Sequence, residues 1–66
     1  MTVAKVTEIT STSKKSFDDA IRSGIKRATK TLRHVQAAWI AGQEVLIEDD
    51  KIAGYRVRMK LTFILN

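Results

Sequence analysis

The side chains best suited to ligand chemistry are one tryptophan and a group of basic residues. Trp39 is the single tryptophan, and Arg56, Arg58 and Lys60 occupy alternate positions near the end of the chain. An indole ring can stack on a flat heteroaromatic molecule, and a guanidinium offers fixed donors that suit phosphate or carbonyl oxygens. These residue types therefore indicate binding of a flat or anionic ligand.

Ala37 and Gln43 extend this candidate site. Both lie an even number of residues from Trp39, so a regular β-strand carries all three on one face. Gln43 can donate and accept hydrogen bonds, and the small Ala37 leaves space beside the indole. Trp39 also fits a contact between subunits, and the basic residues also fit a solvated strand face. The sequence leaves both interpretations open.

The remaining polar groups suit structural roles better than catalysis or metal binding. Glu48, Asp49 and Asp50 are consecutive carboxylates, but adjacent residues of a short turn cannot all point at one calcium ion, so a solvated turn is expected. His34 is the single histidine and is expected to cap a helix or lie exposed. Because no acid and nucleophile surround it, we predict no catalytic residues and no enzyme activity.

Length and composition bound the fold that must position these residues. The 66 residues predict a single domain, 1–66, and a domain of this size buries only about 60% of its unfolded surface. Without cysteine, the chain has neither disulfides nor thiolate metal sites, so association of identical copies is the expected source of added stability. No apolar run resembles a signal peptide or a membrane span, so a cytoplasmic location is expected.

The first half of the chain predicts a strand and then a helix. Residues 2–10 are expected to form a short strand, and Ser11, Thr12 and Ser13 are good helix N-caps. Residues 14–32 are expected to form the helix, because apolar residues recur there at spacings of three and four. This apolar face consists of Phe17, Ile21, Gly24, Ile25, Ala28 and Leu32. Gly24 on it predicts close approach of another backbone.

The second half predicts an antiparallel hairpin. From Val35 the apolar period changes from 3.6 to 2, and the acidic turn at 48–51 separates two long strands. In the last strand one face is predicted to consist of Tyr55, Val57, Met59, Leu61, Phe63 and Leu65, and the residues between them, through Asn66, form the other. The predicted fold is α+β, with the order β-α-β-β: a three-stranded antiparallel sheet with one helix packed on it.

The order and residues of these segments resemble the dodecin family along essentially the whole chain. The resemblance is carried by the run Thr10-Ser11-Thr12-Ser13-Lys14-Lys15-Ser16-Phe17, by Thr31-Leu32-Arg33, and by the strand Tyr55-Arg56-Val57-Arg58-Met59-Lys60-Leu61-Thr62-Phe63. It implies a hollow homododecamer that binds flavins such as riboflavin or FMN and stores or protects them without catalysis. In the family, the flavin stacks on a tryptophan and is held by a glutamine.

The chain departs from the family pattern at both ligand positions. Ala37 stands where the family's tryptophan is expected, with Trp39 two residues later, and Arg56 replaces the glutamine. One alternative is therefore a dodecin-like shell that has lost flavin and binds another ligand or a metal ion such as calcium. A second alternative is a basic nucleic-acid-binding module, suggested by the net charge of +5. Against it, the aromatic residues of the last strand alternate to the face opposite the basic ones.

Overall fold

The computed structural model describes residues 2–65 of the chain; Met1 and Asn66, the two ends of the predicted domain, lie outside the described residues. The elements follow one another as β1 (Val3–Ser13), α1 (Phe17–Ala28), β2 (Val35–Glu48) and β3 (Lys51–Leu65). β3 lies in the centre of an antiparallel sheet with the order β1-β3-β2. The predicted β-α-β-β fold is therefore confirmed.

The first strand is longer than the sequence predicted. β1 pairs with β3 without interruption from Val3 opposite Leu65 to Ser13 opposite Tyr55. The serine and threonine residues that looked like helix caps are thus strand residues, because the ladder with the central strand satisfies their backbone groups. The prediction of a strand ending at residue 10 was wrong at this boundary.

The helix begins and ends inside the predicted range of 14–32. Ser16 is the N-cap, and its hydroxyl accepts a hydrogen bond from the backbone N–H of Asp19 at 2.9 Å. The Asp19 carboxylate in turn accepts a 2.6 Å hydrogen bond from the buried Ser13 hydroxyl. This network joins the end of β1 to the first turn of α1, and the aspartate also suits the positive end of the helix dipole.

The core lies between α1 and the helix-facing side of β1 and β3. Its fully buried side chains are Ala20, Val57, Met59 and Leu61, which confirms the predicted alternation of the last strand. A Cβ atom on Gly24 would lie 2.7 Å from Met59 Cε and 2.8 Å from Ser11 Cβ. Close packing at this glycine is confirmed, but the atoms that approach it belong to side chains and not, as predicted, to another backbone.

The hairpin of β2 and β3 turns through two residues and contains three irregularities. Asp49 and Asp50 both have positive φ, as a two-residue type I′ turn requires, so the predicted turn is confirmed. Register shifts occur between Val35 and Ala37, between Ile40 and Gly42, and between Leu46 and Ile47. A bulge inserts one unpaired residue and reverses the alternation that follows it. The simple two-residue period predicted for β2 was therefore wrong.

The subunit is elongated and leaves much apolar surface uncovered. Its radius of gyration is 13.6 Å, whereas a compact chain of this length has about 11 Å, and its longest dimension is 50 Å. The accessible surface of 5129 Å² likewise exceeds the roughly 4,200 Å² expected for a compact monomer of this mass.

Within residues 2–65, no helix has the length and apolar character needed to cross a membrane.

A candidate ligand-binding face

The side of the sheet opposite α1 carries most of the candidate residues. We call this side the open face. Directly opposed residues of antiparallel strands share a face, so the ladder gives its rows across β1, β3 and β2. The three rows that matter are Thr12–Arg56–Glu44, Thr10–Arg58–Gly42 and Glu8–Lys60–Trp39. The next row adds Val6, Thr62 and Ala37.

Trp39 is exposed on the open face, and a neighbouring ammonium group lies against it. Its relative exposure is 64%, and Lys60 Nζ lies 5.5 Å from the ring centroid. Ala37 is the next residue of β2 on the same face, opposite Thr62. Trp39 and Ala37 therefore lie on the same face of the sheet, as the two-residue period predicted. The indole forms a platform bounded on one side by a residue with a single methyl group.

Arg56 lies on the open face but not beside Trp39. It is two same-face steps from Lys60 along β3, a distance of about 13 Å at the rise of a β-strand. Its Nη2 and Nε atoms lie 2.6 and 2.7 Å from the same oxygen, Glu44 Oε1. This half-exposed ion pair fixes the direction of the guanidinium and neutralises its charge.

Gln43 does not share the face of Trp39, and this part of the sequence prediction was wrong. The bulge between Ile40 and Gly42 leaves Ala41 without a partner, and Gln43 is therefore paired with Val57, whose side chain is buried under the helix. Gln43 still borders a cavity at the bulge, but its ladder position lies on the helix side. The irregular register removes it from the tryptophan platform.

The cavity at the bulge could not be predicted from the sequence. It has a volume of about 140 Å³ and is lined by Thr10, Gly42, Gln43, Glu44, Arg56 and Arg58. An added Cβ on Gly42 would meet nothing within 4 Å, so the space above this residue is open. The alternation of basic residues in the sequence pointed to Arg58 as a candidate. Only the strand register shows that Arg58 is directly opposite Gly42 in the ladder.

The other predicted polar residues lie outside the ladder rows that contain Trp39, Arg56 and Arg58. His34 follows the helix with φ of 59°, and its carbonyl accepts a hydrogen bond from Ile64 N–H at 3.1 Å. It thus shapes the connection into β2. Within residues 2–65, no three His, Cys, Asp or Glu side chains lie close enough together to hold a metal ion.

Comparison with known proteins gives one family. The sequence model of the dodecin family matches residues 3–66. Dodecin from Streptomyces davaonensis is 35% identical, with a TM-score of 0.92 over 98% of this chain and 96% of that one. A Thermus thermophilus dodecin with a tryptophan-to-phenylalanine substitution is 29% identical, with a TM-score of 0.91 over 100% of this chain and 98% of that one.

A more distant structure shares the fold. A calcium-chelating antigen from Mycobacterium tuberculosis, named calcium dodecin, is 23% identical, with a TM-score of 0.86 over 97% of this chain and 91% of that one. No curated protein sequence matches the chain. The family match covers nearly every residue, and the fold agrees closely with that of solved dodecin structures. The chain therefore belongs to the dodecin family.

Proposed function

We propose that this protein binds a flat heteroaromatic molecule, with flavin as the first candidate, and holds it without catalysing a reaction. The exposed Trp39 on the open face carries this proposal. A large indole left 64% exposed on an otherwise uncovered sheet is costly in water and suited to stacking. Family membership supports a flavin, which the family typically binds.

A homo-oligomer completes the proposed site. Arg56 lies about 13 Å along the strand from the Trp39 row, and its guanidinium is directed across the sheet to Glu44 and not along the strand toward Trp39. A ring stacked on Trp39 would therefore meet Arg56 of a neighbouring copy, where a guanidinium N–H not used by Glu44 can donate to a ring carbonyl. We infer a closed homododecamer, because a hollow shell of this kind is typical of the family.

Ala37 leaves room for the ligand in this proposal. A flat ring centred on Trp39 extends beyond the indole, and the single methyl group of Ala37 on the same face leaves that space open. Gln43 is not included in the site, because its ladder partner Val57 lies on the helix side. The proposed contacts are thus Trp39, Ala37 and Arg56.

The test is a flavin titration of the assembled protein, followed by quenching of flavin fluorescence. Loss of the family's stacking and glutamine contacts removes about 1–3 kcal/mol, so binding roughly five- to 150-fold weaker than with both contacts is expected. Trp39→Ala should weaken binding by about tenfold, and Trp39→Phe should weaken it less. Sedimentation of the same samples separates loss of ligand from loss of assembly.

Four outcomes would contradict the proposal. If Trp39→Ala dissociates the oligomer while Trp39→Phe preserves both assembly and affinity, the indole fills a subunit contact. If tens of micromolar flavin give no quenching with the oligomer intact, this chain keeps the shell for another cargo. Stabilisation by calcium alone would point to the chemistry named for the Mycobacterium tuberculosis relative, and salt-sensitive oligonucleotide binding would point to nucleic acid.

A further inference from the structure

The basic residues of the open face differ in whether a carboxylate compensates them. Arg56 is ion-paired with Glu44, whereas Lys60 is opposite Glu8 in the ladder with β1 but forms no ion pair with it, and its Nζ lies over the Trp39 ring. Arg58 lies between them, and its two cross-strand neighbours are Thr10 and Gly42, which carry no charge. Among residues 2–65, no carboxylate lies within ion-pair distance of Arg58. Within the described part of the chain, Arg58 and Lys60 therefore both carry charge without an ion pair, and of the two it is Arg58 that lines the cavity at Gly42.

The same row contains the open space. Gly42 has no side chain above it, and the cavity of about 140 Å³ is lined by Arg58, Thr10 and Gln43 and by the Arg56–Glu44 ion pair, in which the carboxylate is already neutralised. A guanidinium gives two parallel hydrogen bonds to an oxyanion, and a threonine hydroxyl can give a third. A glycine flanked by these two donors is a position where a tetrahedral anion fits without displacing any side chain.

We propose that Arg58, Thr10 and Gly42 form a subsite for the phosphoryl group of the bound ligand. One same-face step along β3, about 6.5–7 Å, separates the Arg58 row from the Lys60–Trp39 row. A ring on Trp39 can thus carry a phosphoryl group on a short flexible chain into the cavity. The position of the ring rests on the function proposed above, whereas the anion subsite rests only on the Arg58 row.

This assignment makes the protein selective for a phosphorylated ligand. Arg56 is already neutralised by Glu44, so it adds little net charge for a phosphate, whereas Arg58 has its full charge available. A flavin mononucleotide should bind more tightly than riboflavin, which has the same ring and no phosphate. Arg58 is therefore the residue that distinguishes the two ligands.

The experiment measures the affinity of FMN and of riboflavin for the assembled protein and two charge variants. Arg58→Gln should weaken FMN by roughly tenfold and leave riboflavin unchanged, because only the phosphate contact is removed. Arg22→Gln is the matched control: it removes one positive charge from the exposed helix surface, where Arg22 pairs with Asp18. It should change neither affinity.

A steric variant tests the cavity without altering charge. Gly42→Val fills the space above the strand with a residue that strands favour, and no atom stands within 4 Å of the added Cβ. The variant should fold and assemble, keep its riboflavin affinity and lose FMN affinity to the same extent as Arg58→Gln. Unchanged FMN binding in assembled Gly42→Val protein would place the phosphate elsewhere.

Calorimetry with inorganic pyrophosphate separates failure of the subsite from failure of the flavin proposal. Pyrophosphate binding that Arg58→Gln weakens supports the subsite even if neither flavin binds. Equal pyrophosphate binding by the wild type and Arg58→Gln overturns it. Equal affinity of the wild type for FMN and riboflavin overturns the link between the subsite and the ring, while leaving the flavin proposal intact.

Discussion

At Gly24 the helix approaches the sheet so closely that a methyl group has no room. Alanine there gains about 1 kcal/mol of helix propensity, but its Cβ would lie 2.8 Å from Ser11 Cβ, which is attached to the paired backbone of β1. Overpacking costs about 1–3 kcal/mol, so Gly24→Ala should lower the free energy of unfolding by about 1 kcal/mol. Urea denaturation at fixed protein concentration measures this change.

Gly42→Ala is the control for Gly24→Ala, because Gly42 is not closely packed. Its added Cβ meets no atom, so Gly42→Ala should leave the free energy of unfolding within about 0.5 kcal/mol of the wild type. If both alanine variants have equal stability, close packing is not the reason for the glycine in the helix. A stabilised Gly24→Ala would mean that Met59 and Ser11 move aside at no cost.

Part of the candidate site could be predicted from single residues. Trp39 and Ala37 were placed on one face because no irregularity separates them in β2, so the two-residue period applies. Gln43 was misplaced because the bulge at Ala41 lies between it and Trp39, and nothing in the residue types there marks a bulge. Arg58 was seen only as one of three basic residues, since its isolation depends on partners from two other strands.

Among the elements, the helix start depends on two serines with different tasks. Ser16 accepts the hydrogen bond from Asp19 N–H, and Ser13 donates to the Asp19 carboxylate while it accepts from Lys15 N–H at 2.9 Å. Ser16→Ala should therefore cost about 1 kcal/mol of unfolding free energy. Thr29→Ala, which removes only an exposed hydroxyl contact to Lys26 O, is the matched control and should cost less.

The hairpin turn offers a change in the stabilising direction. Asp49 and Asp50 adopt φ of 51° and 61°, which Asn-Gly adopts more readily. The double change Asp49→Asn with Asp50→Gly should raise the free energy of unfolding by about 0.5–1 kcal/mol. Denaturation with and without calcium checks this. A loss of stability seen only in calcium would show that the two carboxylates hold an ion.

The sequence predicted an element well where burial of side chains determines the order of residue types. It predicted an element poorly where hydrogen bonding to a distant strand determines the structure. β3 is central and buried on one face, so its alternation from Tyr55 to Phe63 is plain in the residue types. The end of β1 was misjudged because Ser11 to Ser13 fit a helix cap as well as they fit a strand. The ladder with β3 decides between these two structures, and it joins residues more than forty positions apart.

At the scale of the whole molecule, the elongated subunit and its open face require copies of itself. Large apolar side chains are exposed on both sides of the sheet and along the hairpin, including Val6, Ile40, Val45, Ile47 and Ile52. Association of copies would cover these side chains, and for the proposed dodecamer sedimentation at micromolar concentration should show a species of about twelve subunits. A stable monomer would rule out the closed shell.

The end of the β2–β3 hairpin, residues 46–54, which we call the arm, provides a sharper test of assembly. Ile47 and Ile52 are directly opposed near the turn and are 66% and 62% exposed in the subunit. Ile52→Lys should dissociate the oligomer, because a charge placed in a buried contact costs several kcal/mol. Lys26→Glu on the exposed helix surface is the control and should assemble normally. Normal assembly of Ile52→Lys would place the arm outside the subunit contacts.

The unpaired Ala41 affects how insertions and deletions in β2 would alter the binding surface during evolution. The bulge separates β2 into a segment that carries the indole and a segment that continues into the arm. Deleting Ala41 would regularise the ladder while Trp39 stayed opposite Lys60. Pairing Ala41 without a deletion would instead bring Trp39 opposite Leu61, on the helix side. Whether Ala41 is left unpaired therefore decides which surface of the sheet presents the indole.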